Sequence, residues 1–124
     1  MSAEGMIDIL SPHPFLETVD RLEHLLQAKG MKIFARINQA AEANAVGLNL
    51  RPTILILFGN PTAGTPLMEK HPSLALDLPL KALIWESDGK VYVSYSSPEY
   101  LRDRHHLPRT PFASLPDLLK KALE

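Results

Sequence analysis

The sequence predicts an α+β fold, a mainly antiparallel sheet with helices packed on one face, and three observations carry that prediction. Apolar residues alternate in several strand-length runs. Two of those runs meet at Asp88-Gly89, the signal of a tight hairpin turn. Apolar stripes at helical spacing lie toward both ends of the chain, and only one candidate parallel crossover separates two strands. At 124 residues with 45% hydrophobic composition, the chain reads as a single domain over 1–124 with one core.

Residues 4–10 read as a short strand, stopped by Ser11-Pro12-His13-Pro14. The two prolines push their predecessors toward extended backbone, which makes His13 the expected cap and Pro14 the expected first helical residue. Phe15, Val19, Leu22 and Leu26 then mark one helix face, and Gly30 ends it. From Met31 the period becomes two: Met31, Ile33, Ala35 and Ile37 face one way, and Lys32, Phe34 and Arg36 the other. Asn38 caps a short helix that Gly47 closes, and Thr53 to Phe58, apolar on both faces, reads as a central strand.

Gly59-Asn60-Pro61-Thr62-Ala63-Gly64-Thr65-Pro66 offers two helix starts, Asn60 before Pro61 and Thr65 before Pro66, with a short helix expected through Leu67 to Lys70. A single helical turn is expected over Ser73 to Asp77, between two prolines. The hairpin runs Leu80 to Glu86 and Lys90 to Ser96, with Val91, Val93 and Tyr95 on one face. Ser97-Pro98-Glu99 opens another helix, and Ser114-Leu115-Pro116-Asp117 a last one with Leu115, Leu118, Leu119, Ala122 and Leu123 as its stripe.

Composition removes several function classes. With no cysteine, a disulfide scaffold, a thiolate metal site and thiol catalysis are excluded, and the chain fits a reducing cytoplasm. Thirteen basic against fourteen acidic residues leave no basic footprint for nucleic acid, so no nucleic-acid partner is expected. The longest apolar run, Ile54 to Phe58, is too short for a bilayer, the acidic start is unlike a signal peptide, and no membrane partner is expected. Eleven prolines beside two glutamines and four asparagines lean toward a thermophile composition.

Several segments together resemble one family. Val19/Leu22/Leu26 ending at Gly30, Gly47-Leu48-Asn49-Leu50-Arg51-Pro52, Phe58-Gly59-Asn60-Pro61, Gly64-Thr65-Pro66-Leu67-Met68, Leu76-Asp77-Leu78-Pro79-Leu80 and Val91-Tyr92-Val93-Ser94-Tyr95 with Pro98 follow one another in order. Over about residues 18–98 this string resembles the domain-of-unknown-function family 302, small α+β proteins of bacteria and archaea. The resemblance implies a TATA-binding-protein-like β-α-β(4)-α arrangement, a homodimer and no established activity. It implies no DNA binding, since function follows sites rather than folds.

The candidate chemistry centres on the loop. Gly59 and Gly64 let backbone approach a ligand, and Asn60, Thr62 and Thr65 offer hydrogen bonds, the parts of a small-molecule or anion cradle; the same residues also serve as helix caps. The loop lacks the Gly-Lys-Ser/Thr ending of a P-loop. Asp77, set among leucines, needs a partner such as a backbone N–H, Thr, Tyr or Arg if buried, and it completes the candidate pocket with Tyr95. An alternative reading makes Asp77 or His71 a general acid or base. A third makes the apolar faces a structural or protein-interaction module. His105 and His106 are adjacent and point about 100° apart on a helix, so no metal and no cofactor is expected. No Gly-x-Ser-x-Gly nucleophile elbow is present, and Trp85, Tyr92, Tyr95 and Tyr100 suit core or interface packing.

Overall fold

The computed structural model describes residues 3–124. The described residues form, in order, β1 (Met6–Ser11), α1 (Phe15–Ala28), β2 (Lys32–Asn38), α2 (Gln39–Ala45), β3 (Thr53–Gly59), α3 (Pro61–Lys70), a 3-10 turn (Pro72–Leu76), β4 (Leu80–Ser87), β5 (Lys90–Ser96), α4 (Pro98–Arg104) and α5 (Leu115–Ala122). All pairings are antiparallel, in the order β1-β5-β4-β3-β2. With α2, α3 and α4 taken as short inserts, this is the expected β-α-β(4)-α arrangement. The expected α+β class is thus what the chain adopts.

The first helix crosses from one edge strand to the other and lays Val19, Leu22 and Leu26 on the sheet. Beneath them lie Ile54, Ile56 and Phe58 of β3, Ala82 and Ile84 of β4, and Val91, Val93 and Tyr95 of β5, all buried. Leu115, Leu119 and Leu123 close the core beside α1. The hairpin turns on two residues, Asp88 at φ 52° and Gly89 at φ 75°. Positive φ at both positions matches the right-handed twist of the flanking strands, which is why Asp-Gly marked the turn.

Three details differ from the sequence expectations. Pro14 is the residue before α1 rather than its first helical residue, because its ψ of 160° is extended. Nor does His13 cap the helix: Ser11 Oγ accepts the His13 N–H at 3.1 Å, and Ser11 and Thr18 hydroxyls bond at 2.7 Å to hold the start. His13 instead sends its ring to the Leu123 carbonyl (2.9 Å) and to Glu17 (2.9 Å), tying the helix to the C-terminal end.

In β2 the alternation breaks after Ile33. Ile33 pairs with Phe58 but Ala35 pairs with Leu57, so a bulge at Phe34 shifts the phase by one residue. Ala35 and Ile37 therefore share the outer face with Leu57 and Leu55, while Arg36 swings to the helix side and meets Glu23 (3.5 Å) and Asp20 (3.7 Å) of α1. The third difference is α3, which is capped by Asn60, starts at Pro61 and runs through Pro66. The one bond Pro66 forfeits is to the Thr62 carbonyl, and Thr62 is exposed, so water can take that acceptor.

The outer face carries no comparable cover. Leu55, Leu57, Leu83, Trp85 and Tyr92 there are only half-buried, and Leu10 is exposed. Trp85 stacks on Tyr92 with ring centroids 4.8 Å apart and donates its indole N–H to Ser94 Oγ, which donates to Asp8.

Candidate functional site

The functional candidates gather at the end of the sheet where β3 and β5 finish and β1 and β4 begin. Asn60 has extended backbone there, and its side-chain oxygen accepts the Thr62 N–H at 2.9 Å. Its capping use is therefore realised. Pro61 follows as the first helical residue, whose missing N–H costs nothing in the first turn.

Between α3 and the chain leading into β4 lies a cleft of about 310 Å³, lined by Gly59, Asn60, Gly64 and Thr65 together with Phe34, Met68, Leu78, Pro79, Leu80 and Phe112. Gly64 is buried, and a Cβ placed on it would meet Leu78 Cδ1 at 3.7 Å and Met68 Cε at 3.9 Å. The absent side chain thus leaves room that the apolar neighbours do not fill. Thr62 lies on the exposed side of the helix and is not among the lining residues. Because carbon surrounds the cleft and the Asn60 oxygen already holds Thr62, the lining suits an apolar molecule rather than an anion.

Asp77 and Tyr95 border a second hollow. The β4–β5 ladder runs from Ser87 and Lys90 to Leu83 and Ser94, then stops, while β4 continues to Leu80 on β3 and β5 continues to Ser96 on β1. The two strands diverge, and a hollow of about 230 Å³ opens between them, bordered by Leu80, Lys81, Leu83, Tyr95 and Ser96, with Asp77, Leu101 and Leu115 also against it. Leu80 borders both hollows. The predicted residues therefore divide: Gly59, Asn60, Gly64 and Thr65 stand at one cleft, Asp77 and Tyr95 at the other, and Thr62 at neither.

The Tyr95 hydroxyl is buried without a hydrogen-bond partner. Burial, with Glu99 and Asp117 nearby, pushes its phenol above the ordinary value, so it keeps its proton at neutral pH.

Asp77 has partners that join three distant residues. Its Oδ2 receives His105 Nε2 at 2.5 Å, with Arg104 Nε at 3.5 Å from the same oxygen. On the other side of the ring, His105 Nδ1 lies 2.7 Å from Ser73 Oγ. In the neutral ring the carboxylate holds the proton on Nε2, which leaves Nδ1 as an acceptor for the Ser73 hydroxyl. The His105 side chain is 3% exposed, whereas Ser73 is exposed. The 3-10 turn supplies Ser73 and is capped at its end by Asp77, and His105 caps the end of α4, so short elements hold all three.

Of these, the sequence pointed to Asp77 and an arginine partner but not to His105 or Ser73. His71 caps α3 at its C-terminal end and borders a third cleft, with Lys70 and Arg109. Among the described residues no group of three or more His, Asp or Glu stands ready to hold a metal ion.

The family described as domain of unknown function DUF302 matches residues 7–124. The chain belongs to that family. An uncharacterized conserved DUF302 protein from Bacillus stearothermophilus shares the fold, with a TM-score of 0.83 over 98% of this chain and 97% of that one, at 18% identity. The DUF302 chain is also 41% identical over 104 residues, 83% of its length, to fluoride-specific ion channel FluC 1 of Brucella suis biovar 1 (strain 1330), and the match covers 41% of that protein. FluC 1 of Brucella abortus biovar 1 (strain 9-941) matches at the same 41% identity, with 38% of its length covered. The chain thus spans about two fifths of these curated relatives.

Proposed function

We propose that this DUF302 protein is a homodimeric domain that binds a small apolar molecule in the cleft beside α3. The observation that carries this reading is the cleft itself, about 310 Å³ and lined by four residues of one loop and helix, Gly59, Asn60, Gly64 and Thr65, against apolar side chains. That size and chemistry suit a small ligand held by shape, with few polar groups to orient it. What supports self-association is the outer sheet face, where Leu10 is 58% exposed and Leu55, Leu57 and Leu83 are only half-buried.

Native mass spectrometry of freshly purified protein, set against its denatured mass, tests both halves. A dimer carrying extra mass is the expected result. In Gly64→Leu the new side chain grows into the cleft from a Cβ with ordinary contacts, and in protein whose circular dichroism melt stays cooperative the ligand affinity falls at least about tenfold, or ~1.4 kcal/mol. A bare monomer removes both halves of the reading. Ligand retained undiminished by Gly64→Leu moves it to another cleft.

A second reading comes from the Brucella relatives, in which the matched segment would be a domain carried beside the channel. Its support is that the match covers about two fifths of those proteins, while no described helix here is long and apolar enough to cross a membrane. Deleting the matched segment from the Brucella suis protein then leaves fluoride flux through reconstituted vesicles largely intact. Complete loss of flux from a channel that still inserts rejects this reading.

A further inference from the structure

The hydrogen-bonded chain from Ser73 through His105 to Asp77 has a chemical order that packing alone does not require. An exposed hydroxyl lies 2.7 Å from one nitrogen of a buried imidazole, and a carboxylate holds the other at 2.5 Å. This is the relation among nucleophile, base and orienting group that activates a serine, with the two ring nitrogens in exchanged roles. We propose that Ser73, His105 and Asp77 hydrolyse carboxylic esters that carry an anionic group.

The anionic preference follows from the neighbouring cleft. His71, two residues before Ser73, and Leu107, two after His105, both border a cleft of about 500 Å³ that also meets Lys70 and Arg109. Ser73 and His105 do not line this cleft themselves, but their bond joins the two segments that supply His71 and Leu107 to its wall. Two cations among Leu67, Leu107, Pro108 and Pro111 suit a carboxylate or phosphate on an otherwise apolar acyl chain.

The reaction balances with water as the only co-reactant. Ser73 Oγ bonds to the ester carbonyl carbon as its proton passes to His105 Nδ1, and Asp77 stabilises the imidazolium through Nε2–H. The Nδ1 proton then goes to the leaving oxygen as the carbon–oxygen bond breaks, releasing the alcohol. Water, deprotonated by Nδ1, attacks the acyl-serine; the acid leaves and the proton returns to Ser73 Oγ. The site lies apart from the cleft beside α3, so its failure leaves the ligand reading untouched.

The test treats the full chain with a fluorophosphonate, maps the adduct by mass spectrometry, and measures hydrolysis of mono-(4-nitrophenyl) succinate against 4-nitrophenyl acetate. Wild type gains one adduct, on Ser73; Ser73→Ala gains none; Asp77→Asn reacts at least ~100-fold more slowly. The succinate ester is favoured in kcat/KM, and Arg109→Gln raises its KM and narrows its advantage over the acetate. Circular dichroism melts confirm folding, and if Asp77→Asn does not fold, Ser73→Ala decides alone. A folded wild type that gains no adduct, or an adduct that survives Ser73→Ala, overturns the proposal. Equal rates on the two esters overturn the anionic assignment.

Discussion

Phe58→Ala costs the domain about 3–5 kcal/mol, a large share of the ~5–15 kcal/mol that holds a domain of this size folded. Phe58 is fully buried at the end of β3, with Ile33 opposite on β2 and Leu80 opposite on β4. Three strands converge on the ring, so the backbone cannot collapse into the space it leaves, and the cavity adds to the lost transfer energy. Urea unfolding followed by circular dichroism measures the effect. A cost below ~1.5 kcal/mol would mean the sheet end is looser than the packing indicates. Because Leu80, opposite Phe58, borders both hollows, the same variant also reshapes their walls.

Gly5→Ala costs about 2–4 kcal/mol, while Gly30→Ala, at a similar positive φ, costs about 1–2 kcal/mol. Both glycines have left-handed backbone, at φ +74° and +80°, so both variants bear the conformational cost of an added Cβ. They differ in surroundings. A Cβ on Gly30 meets nothing within 4 Å, whereas one on Gly5 falls 2.2 Å from Tyr100 Cγ and 2.6 Å from Tyr100 Cβ. Those atoms sit near the α4 backbone and cannot swing clear, and the Gly5 carbonyl accepts the Ser97 N–H that joins β1 to the start of α4. Local release of β1 caps the loss, which is why the range stops well short of global unfolding. The difference between the two melting curves is the readout, and equal shifts would show that backbone strain alone sets the cost.

The readable elements were those whose determinants lie close together in the chain. Asp88-Gly89 fixed the hairpin because a two-residue loop needs positive φ twice, and Val19, Leu22 and Leu26 marked α1 because one face of a helix repeats locally. The bulge at Phe34 has no compositional mark: one extra residue reverses the facing of everything after it, and only pairing with β3 reveals it. The start of α3 stayed double because Asn60-Pro61 and Thr65-Pro66 carry equivalent signals, and packing over Gly64 selects the first.

The site divided along the same line. Gly59, Asn60, Gly64 and Thr65 stand together because they are neighbours in sequence, so the cleft they line was partly legible. The partnership of Asp77 with His105 spans 28 positions and that of Ser73 with His105 spans 32, and no short motif encodes either. The available hint was physical: an aspartate among leucines needs a donor, and the paired histidines at 105 and 106 offered one.

The bulge at Phe34 also governs how copies of the chain can meet. It kinks one edge of the sheet, where Lys32 lies 5.0 Å over the Phe34 ring and Arg36 is turned toward the carboxylates of α1. An edge so twisted and charged is a poor template for another strand, which protects the protein from fibril-like stacking along β2. The opposite edge, β1, is only six residues long and is followed at once by Pro12. End-to-end growth of the sheet is thus discouraged on both sides.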